Sequence, residues 1–170
     1  MFEIKFKNDA GFSLIELVTV MAIISIGVSV LTVSFTTTQR TKKNLETNAR
    51  QFASVLKEAQ NYALTGKQVN GVTPCKFKVS WSTSVYWLRP MSRNGVTGLC
   101  TDVISTTSYP LKGVAFYTAD ATGISFSPPL ATSSVVGPVL LASFTRSGLR
   151  HAICLSAGNL ITDKPGNVCP

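Results

Sequence analysis

The chain has 170 residues, 45% of them hydrophobic and only 14% charged, with a formal net charge of +8 at pH 7. That composition describes one modest globular domain with an apolar anchor. It lacks G-x-G-x-x-G, the P-loop and G-x-S-x-G, and its carboxylates are scattered. The single histidine, His151, reads as a surface residue beside a strand, so neither an acid–base pair nor a Ser-His-Asp or Cys-His arrangement is expected. The expectation is no enzyme and no cofactor.

Residues 1–11 hold Glu3, Lys5, Lys7 and Asp9, whose charges cancel, and end in Gly11. From Phe12 to Val33 follow 22 residues with one formal charge, Glu16. As a helix this run measures about 33 Å, enough to cross the hydrocarbon core of a bilayer. An ordinary secretory signal is cut after its apolar region at a small-x-small site. Here the run passes instead into Ser34-Phe35-Thr36-Thr37-Thr38-Gln39. A carboxylate within such a helix is costly and marks a functional position. Its partner should be a cation presented at similar depth.

Gly11-Phe12-Ser13-Leu14-Ile15-Glu16, at the head of the apolar run, resembles the class III signal of type IV pilins and pseudopilins. The resemblance implies cleavage between Gly11 and Phe12 by a prepilin peptidase on the cytoplasmic side of the membrane. It further implies methylation of the new terminus and retention of the helix as membrane anchor, then as filament core. Glu16 would meet the Phe12 amine of the next subunit and so set its register. The implied partners are the peptidase, other pilin or pseudopilin subunits and an inner-membrane assembly platform. The implied location is a single-pass inner-membrane protein with its head outside the cytoplasm, later part of a filament.

Beyond the anchor the helix is expected to continue. No proline precedes Pro74, and Leu45, Ala49, Phe52, Leu56, Ala59 and Ala63 recur at steps of three and four, one apolar stripe. Gly66 after Leu64-Thr65 is the expected stop. From there Ser, Thr, Gly and Pro rise and short alternating runs appear: 76–81, 85–88, 114–117, 124–126, 139–144 and 152–155. Six to eight antiparallel strands are predicted, with hairpins near 82–84 and 157–159. The fold class is α+β: a long helix, half in the membrane and half amphipathic, packed on an antiparallel β-sheet. The expected divisions are a leader at 1–11, a transmembrane and filament-core helix at 12–35, an amphipathic continuation at 36–65 and a β-rich head at 66–170.

All four cysteines (Cys75, Cys100, Cys154, Cys169) follow the anchor, which points to disulfides in an oxidising compartment. No C-x-x-C occurs, so zinc is not expected. Three pairings are open on spacing. The loops of the sequentially local set, 75–100 with 154–169, resemble pilin staples, and that resemblance favours this pairing.

A second resemblance rests on the helix segments 49–56 and 59–63, on Gly123-Ile124-Ser125-Phe126-Ser127-Pro128, on Phe144-Thr145-Arg146-Ser147-Gly148 and on the hairpin 152–161. These are similar to H-class minor pseudopilins of type II secretion and to FimT-like minor pilins. The tail is not Arg-rich, and two cysteine pairs exceed that plan. After the leader the chain carries 14 Lys or Arg against 6 Asp or Glu. A basic surface can bind DNA phosphates by releasing counterions. DNA is therefore an alternative partner, with Arg93, Arg146, Arg150 and Lys164 as candidate contacts. The expected function is a minor pilin or pseudopilin subunit of a type IV pilus or type II secretion pseudopilus. DNA uptake is the alternative, and a membrane-anchored binding protein outside any filament a more remote one.

Overall fold

Helix α1 (Leu14–Thr65) runs 52 residues without a proline, and ten strands follow it among the described residues. The structure, a computed structural model, describes residues 13–118, 123–135, 139–156, 158–166 and 168–169, with the side chains of 30–37 and 117–118 outside that description. The chain divides into two compact units, 1–40 and 41–170.

In the first unit, the Ser13 carbonyl accepts the N–H groups of Glu16 (2.9 Å) and Leu17 (3.2 Å), closing the first turn. The hydroxyls of Thr19, Ser25 and Ser29 donate to carbonyls three or four residues back, at 2.8–2.9 Å. Polar side chains in an apolar helix thereby satisfy themselves on its own backbone. Apolar residues around this helix face outward, from Leu14 at 81% exposed to Ile26 at 68%.

In the second unit, α1 ends where Gly66 takes a left-handed φ of 61° and the Lys67 N–H bonds back to the Tyr62 carbonyl at 3.0 Å. The Lys67 ammonium then lies 3.7 Å from the Tyr62 ring centre. The stripe Leu45, Ala49, Phe52, Leu56, Ala59 and Ala63 is buried throughout, as its spacing predicts.

The strands form two antiparallel sheets rather than the single sheet expected. The larger has the order β3 (Cys100–Val103), β2 (Val85–Arg93), β1 (Lys76–Trp81), β6 (Gly123–Ser127), β7 (Thr132–Ser133), with β4 (Thr107–Pro110) also paired to β2. The long β2 thus shares one edge between two short partners: β4 along 85–88 and β3 along 91–93. The smaller sheet has the order β10 (Ile161–Pro165), β9 (Leu149–Leu155), β8 (Val139–Arg146), β5 (Ala115–Thr118). Strand β6 ends where Pro128 and Pro129 follow it, neither having an N–H for a ladder, and the two-residue β7 then pairs back on it. Strands at the sheet margins are all short, two to five residues.

Alternation is strict in β1, β6 and the first part of β2, whereas the predicted runs 139–144 and 152–155 do not alternate, being buried at consecutive positions. Phe77, Val79 and Trp81 of β1, Tyr86 and Leu88 of β2, and Ile124 and Phe126 of β6 face the core. Leu141, Phe144, Ile153 and Leu155 enter it from the smaller sheet. Gly123 is fixed by a close approach: a Cβ there would meet the Val79 carbonyl oxygen at 2.9 Å.

Candidate processing and assembly site

The two residues expected at the cut, Gly11 and Phe12, lie outside the described residues. Glu16 stands in the first turn of α1, and its carbonyl accepts the Thr19 hydroxyl at 2.9 Å. Leu14, Ile15, Leu17 and Val18 around it are all exposed, so the unit shows an apolar helix that carries one carboxylate. Contiguous apolar surface of this kind belongs against lipid or against other subunits. Among the described residues no helix is long and apolar enough to cross a membrane. The side chains of the apolar run are described only from Ser13 to Ser29.

The cysteines pair as Cys75–Cys100 and Cys154–Cys169, with Cα separations of 6.1 and 5.7 Å. The first links the residue before β1 to the start of β3 across β2. There the Cys75 N–H donates to the Met91 carbonyl at 2.8 Å, and Arg93 stands opposite Cys100. The second ties β9 to the end of the chain.

Of the four basic residues weighed for DNA, three stand in the smaller sheet and Arg93 in the larger. Arg150 and Lys164 share a face of the β9–β10 hairpin, because Lys164 is opposite Ala152, two residues on from Arg150. Arg146 ends β8 with its guanidinium beside Gly113. Arg93 ends β2 in the other sheet, next to the disulfide-braced loop.

His151 is not the surface residue expected. It is 7% exposed, and its Nε2 lies 3.3 Å from Asp163 Oδ2 on β10. Arg50 of α1 approaches the same oxygen at 3.8 Å and also pairs with Glu46. The group therefore ties the helix to the β9–β10 hairpin. It sits beside a cavity of about 390 Å³ lined in part by Lys42, Leu45, Arg150 and Pro165. All of 151–155 is buried, so no alternation marks the histidine in the sequence, and Arg150 beside it reads as a surface position. No serine or cysteine joins the His151–Asp163 pair in the contacts described, and among the described residues no group of three or more His, Cys, Asp or Glu could hold a metal.

Tyr86 lies in the core and Tyr109 packs against it. Burial, with the neighbouring Tyr109 second, pushes the Tyr86 phenol above its ordinary value. Tyr109 is raised too, first by burial and then by Glu58 and Tyr62.

Residues 6–32 match the family described as the prokaryotic N-terminal methylation motif. No curated protein and no solved structure gives a match. The matched stretch contains Gly11, Phe12 and Glu16 together with most of the apolar run. The chain carries the prokaryotic N-terminal methylation motif over residues 6–32, which supports its likeness to type IV pilins and pseudopilins.

Proposed function

We propose that this chain is a minor pilin or pseudopilin subunit, incorporated into a type IV pilus or a type II secretion pseudopilus. The observation that carries the proposal is the single carboxylate, Glu16, five residues beyond Gly11 at the head of an exposed apolar helix within the matched motif. Residues 1–11 are the leader, and 12–35 are the inner-membrane span that becomes the filament core. Residues 36–65 carry the helix into the head, and 66–170 form the disulfide-braced head outside the cytoplasm. Processing removes the leader and exposes the Phe12 amine. Glu16 of one subunit then receives the methylated amine of the next, a charge pair formed where an unpaired carboxylate is costly. An assembly platform and its motor supply the work of polymerisation.

The alternative, DNA uptake through Arg93, Arg146, Arg150 and Lys164, is supported by the net charge; three of these residues stand in the smaller sheet and Arg93 in the larger. Co-expression with a prepilin peptidase, followed by mass spectrometry of the mature protein, tests the main proposal. The expected product begins with N-methylated Phe12, and Gly11→Val stays uncut. A mature chain that still begins at Met1 beside an active peptidase overturns it.

A further inference from the structure

The cavity beside His151, about 390 Å³, lies where the helix of the second unit meets the β9–β10 hairpin. Leu45 of α1, Leu149 of β9 and Pro165 of β10 give it apolar walls, and Lys42 and Arg150 bring cations to it. Apolar walls with a few convergent charges are the usual form of a small-ligand site.

The charges around it do not balance. On α1, Lys42, Glu46 and Arg50 stand at steps of four, one row on one face. Glu46 is taken by Arg50, and Asp163 is shared between Arg50 and His151. Both carboxylates are thus engaged from within the head, and Lys42 pairs with neither. Leaving His151 out of the count, Lys42, Arg50 and Arg150 stand against Glu46 and Asp163, an excess of one positive charge. Across from Arg150 is Gly166, whose N–H donates to the Arg150 carbonyl at 2.9 Å and which places no side chain beside it. Lys42 also stands nine residues past Val33, the end of the apolar run. That is within the stretch of sequence over which flanking cations act at a membrane surface.

We propose that this cavity holds the phosphodiester of an anionic phospholipid, with Lys42 and Arg150 on the phosphate oxygens and Leu149 and Pro165 against the apolar body. An excess of one charge matches the single negative charge of a phosphodiester better than the nearly double charge of a phosphate monoester. A zwitterionic lipid brings an ammonium group that the excess opposes. The apolar walls gain nothing from an inorganic ion. Taking the phosphodiester from a lipid rests on reading residues 12–35 as a membrane span, whereas the binding chemistry does not.

His151 is the only histidine in the chain, so its ring signals in NMR report on this cavity alone. The test uses the full-length protein, purified without a histidine tag, in uncharged dodecyl maltoside micelles. It is titrated with dihexanoylphosphatidylglycerol, dihexanoylphosphatidylcholine, glycerophosphoglycerol and inorganic phosphate. Phosphatidylglycerol shifts the His151 signals saturably and phosphatidylcholine does not. The two phosphates without acyl chains bind about tenfold more weakly, for want of apolar burial. Lys42→Gln and Arg150→Gln each weaken the lipid about fivefold. Leu149→Ser weakens the lipid but not glycerophosphoglycerol, and Lys57→Gln, the same charge change elsewhere on α1, weakens neither. Circular dichroism checks that each variant is folded. Four outcomes overturn the proposal: no saturable shift with phosphatidylglycerol, phosphatidylcholine bound as tightly, glycerophosphoglycerol bound as tightly, or Lys57→Gln costing as much as Lys42→Gln. Carbonate extraction of the chain from membranes reports the span separately, so failure of the anchor and failure of the lipid site are told apart.

Discussion

The ring of Phe52 on α1 meets the ring of Tyr86 on β2 edge to face, with centroids 5.0 Å apart. The same phenylalanine makes edge contacts with Trp81 at 5.3 Å, Phe116 at 5.3 Å and Phe144 at 5.6 Å. Trp81 and Tyr86 belong to the larger sheet, Phe116 and Phe144 to the smaller. One helix side chain is thus the common neighbour of both sheets.

Phe52→Ala is expected to destabilise the head by about 3–5 kcal/mol, from lost burial and the cavity left among four rings. Phe52→Leu should cost less, because it refills most of the space. Denaturant unfolding followed by Trp81 emission measures both, and equal effects would show that volume is not what the site needs.

Tyr86→Phe should have the opposite character. The Tyr86 hydroxyl is buried without a hydrogen-bond partner among the described groups, so removing it is neutral to stabilising at pH 7. The phenol's folded pKa lies above its ordinary 10.0. An acid held neutral in the fold ionises first in the unfolded chain, so stability is full below about pH 10 and falls as pH rises further. Denaturation midpoints from pH 8 to 11 should show a steeper alkaline loss for the native chain than for Tyr86→Phe.

Each disulfide should stabilise the head by about 3 kcal/mol in the chain-entropy model, since loops of 25 and 15 residues differ little in closure entropy. The double variants Cys75→Ala/Cys100→Ala and Cys154→Ala/Cys169→Ala should therefore lose similar amounts. Midpoints under oxidising and reducing conditions check this, and only the native chain should respond fully to reductant.

Glu16→Gln should leave peptidase cleavage intact while abolishing or strongly reducing incorporation into filaments, because an amide cannot match a terminal ammonium. Immunoblots of sheared filaments against whole-cell lysates separate the two steps. Normal incorporation of the glutamine form would remove the electrostatic basis for subunit register.

Lys78→Thr should raise stability by roughly 0.5 kcal/mol by relieving the charge opposed to Arg89. A thermal shift of the purified chain reads it. A loss of stability would mean that the lysine stem packs usefully on the sheet.

The parts of the fold visible in the sequence are those with a clear period. The stripe from Leu45 to Ala63 has helical spacing, and every member is buried. Lys76 to Trp81 alternates cleanly and is β1 at those bounds. Strands β3 and β4 escaped because they are short and largely exposed, with no apolar alternation to mark them. The split into two sheets depends on which edges accept partners, and Pro128-Pro129 reads locally as no more than a turn. His151 was obscured because its carboxylate partner, Asp163, lies on the next strand. The methylation motif, by contrast, is contiguous, so the match containing Gly11, Phe12 and Glu16 is legible without any fold. The opposition of Lys78 and Arg89 is the reverse case: they are neighbours only through register.

The brevity of the outermost strands has a further effect. With β3, β4 and β5 four residues long, β7 two and β10 five, the head offers no lengthy row of unmated amides to a foreign chain. Pro110 and Pro165 sit at the ends of two of them. Heads crowded side by side at high local concentration are thereby protected against zipping into amyloid-like ribbons.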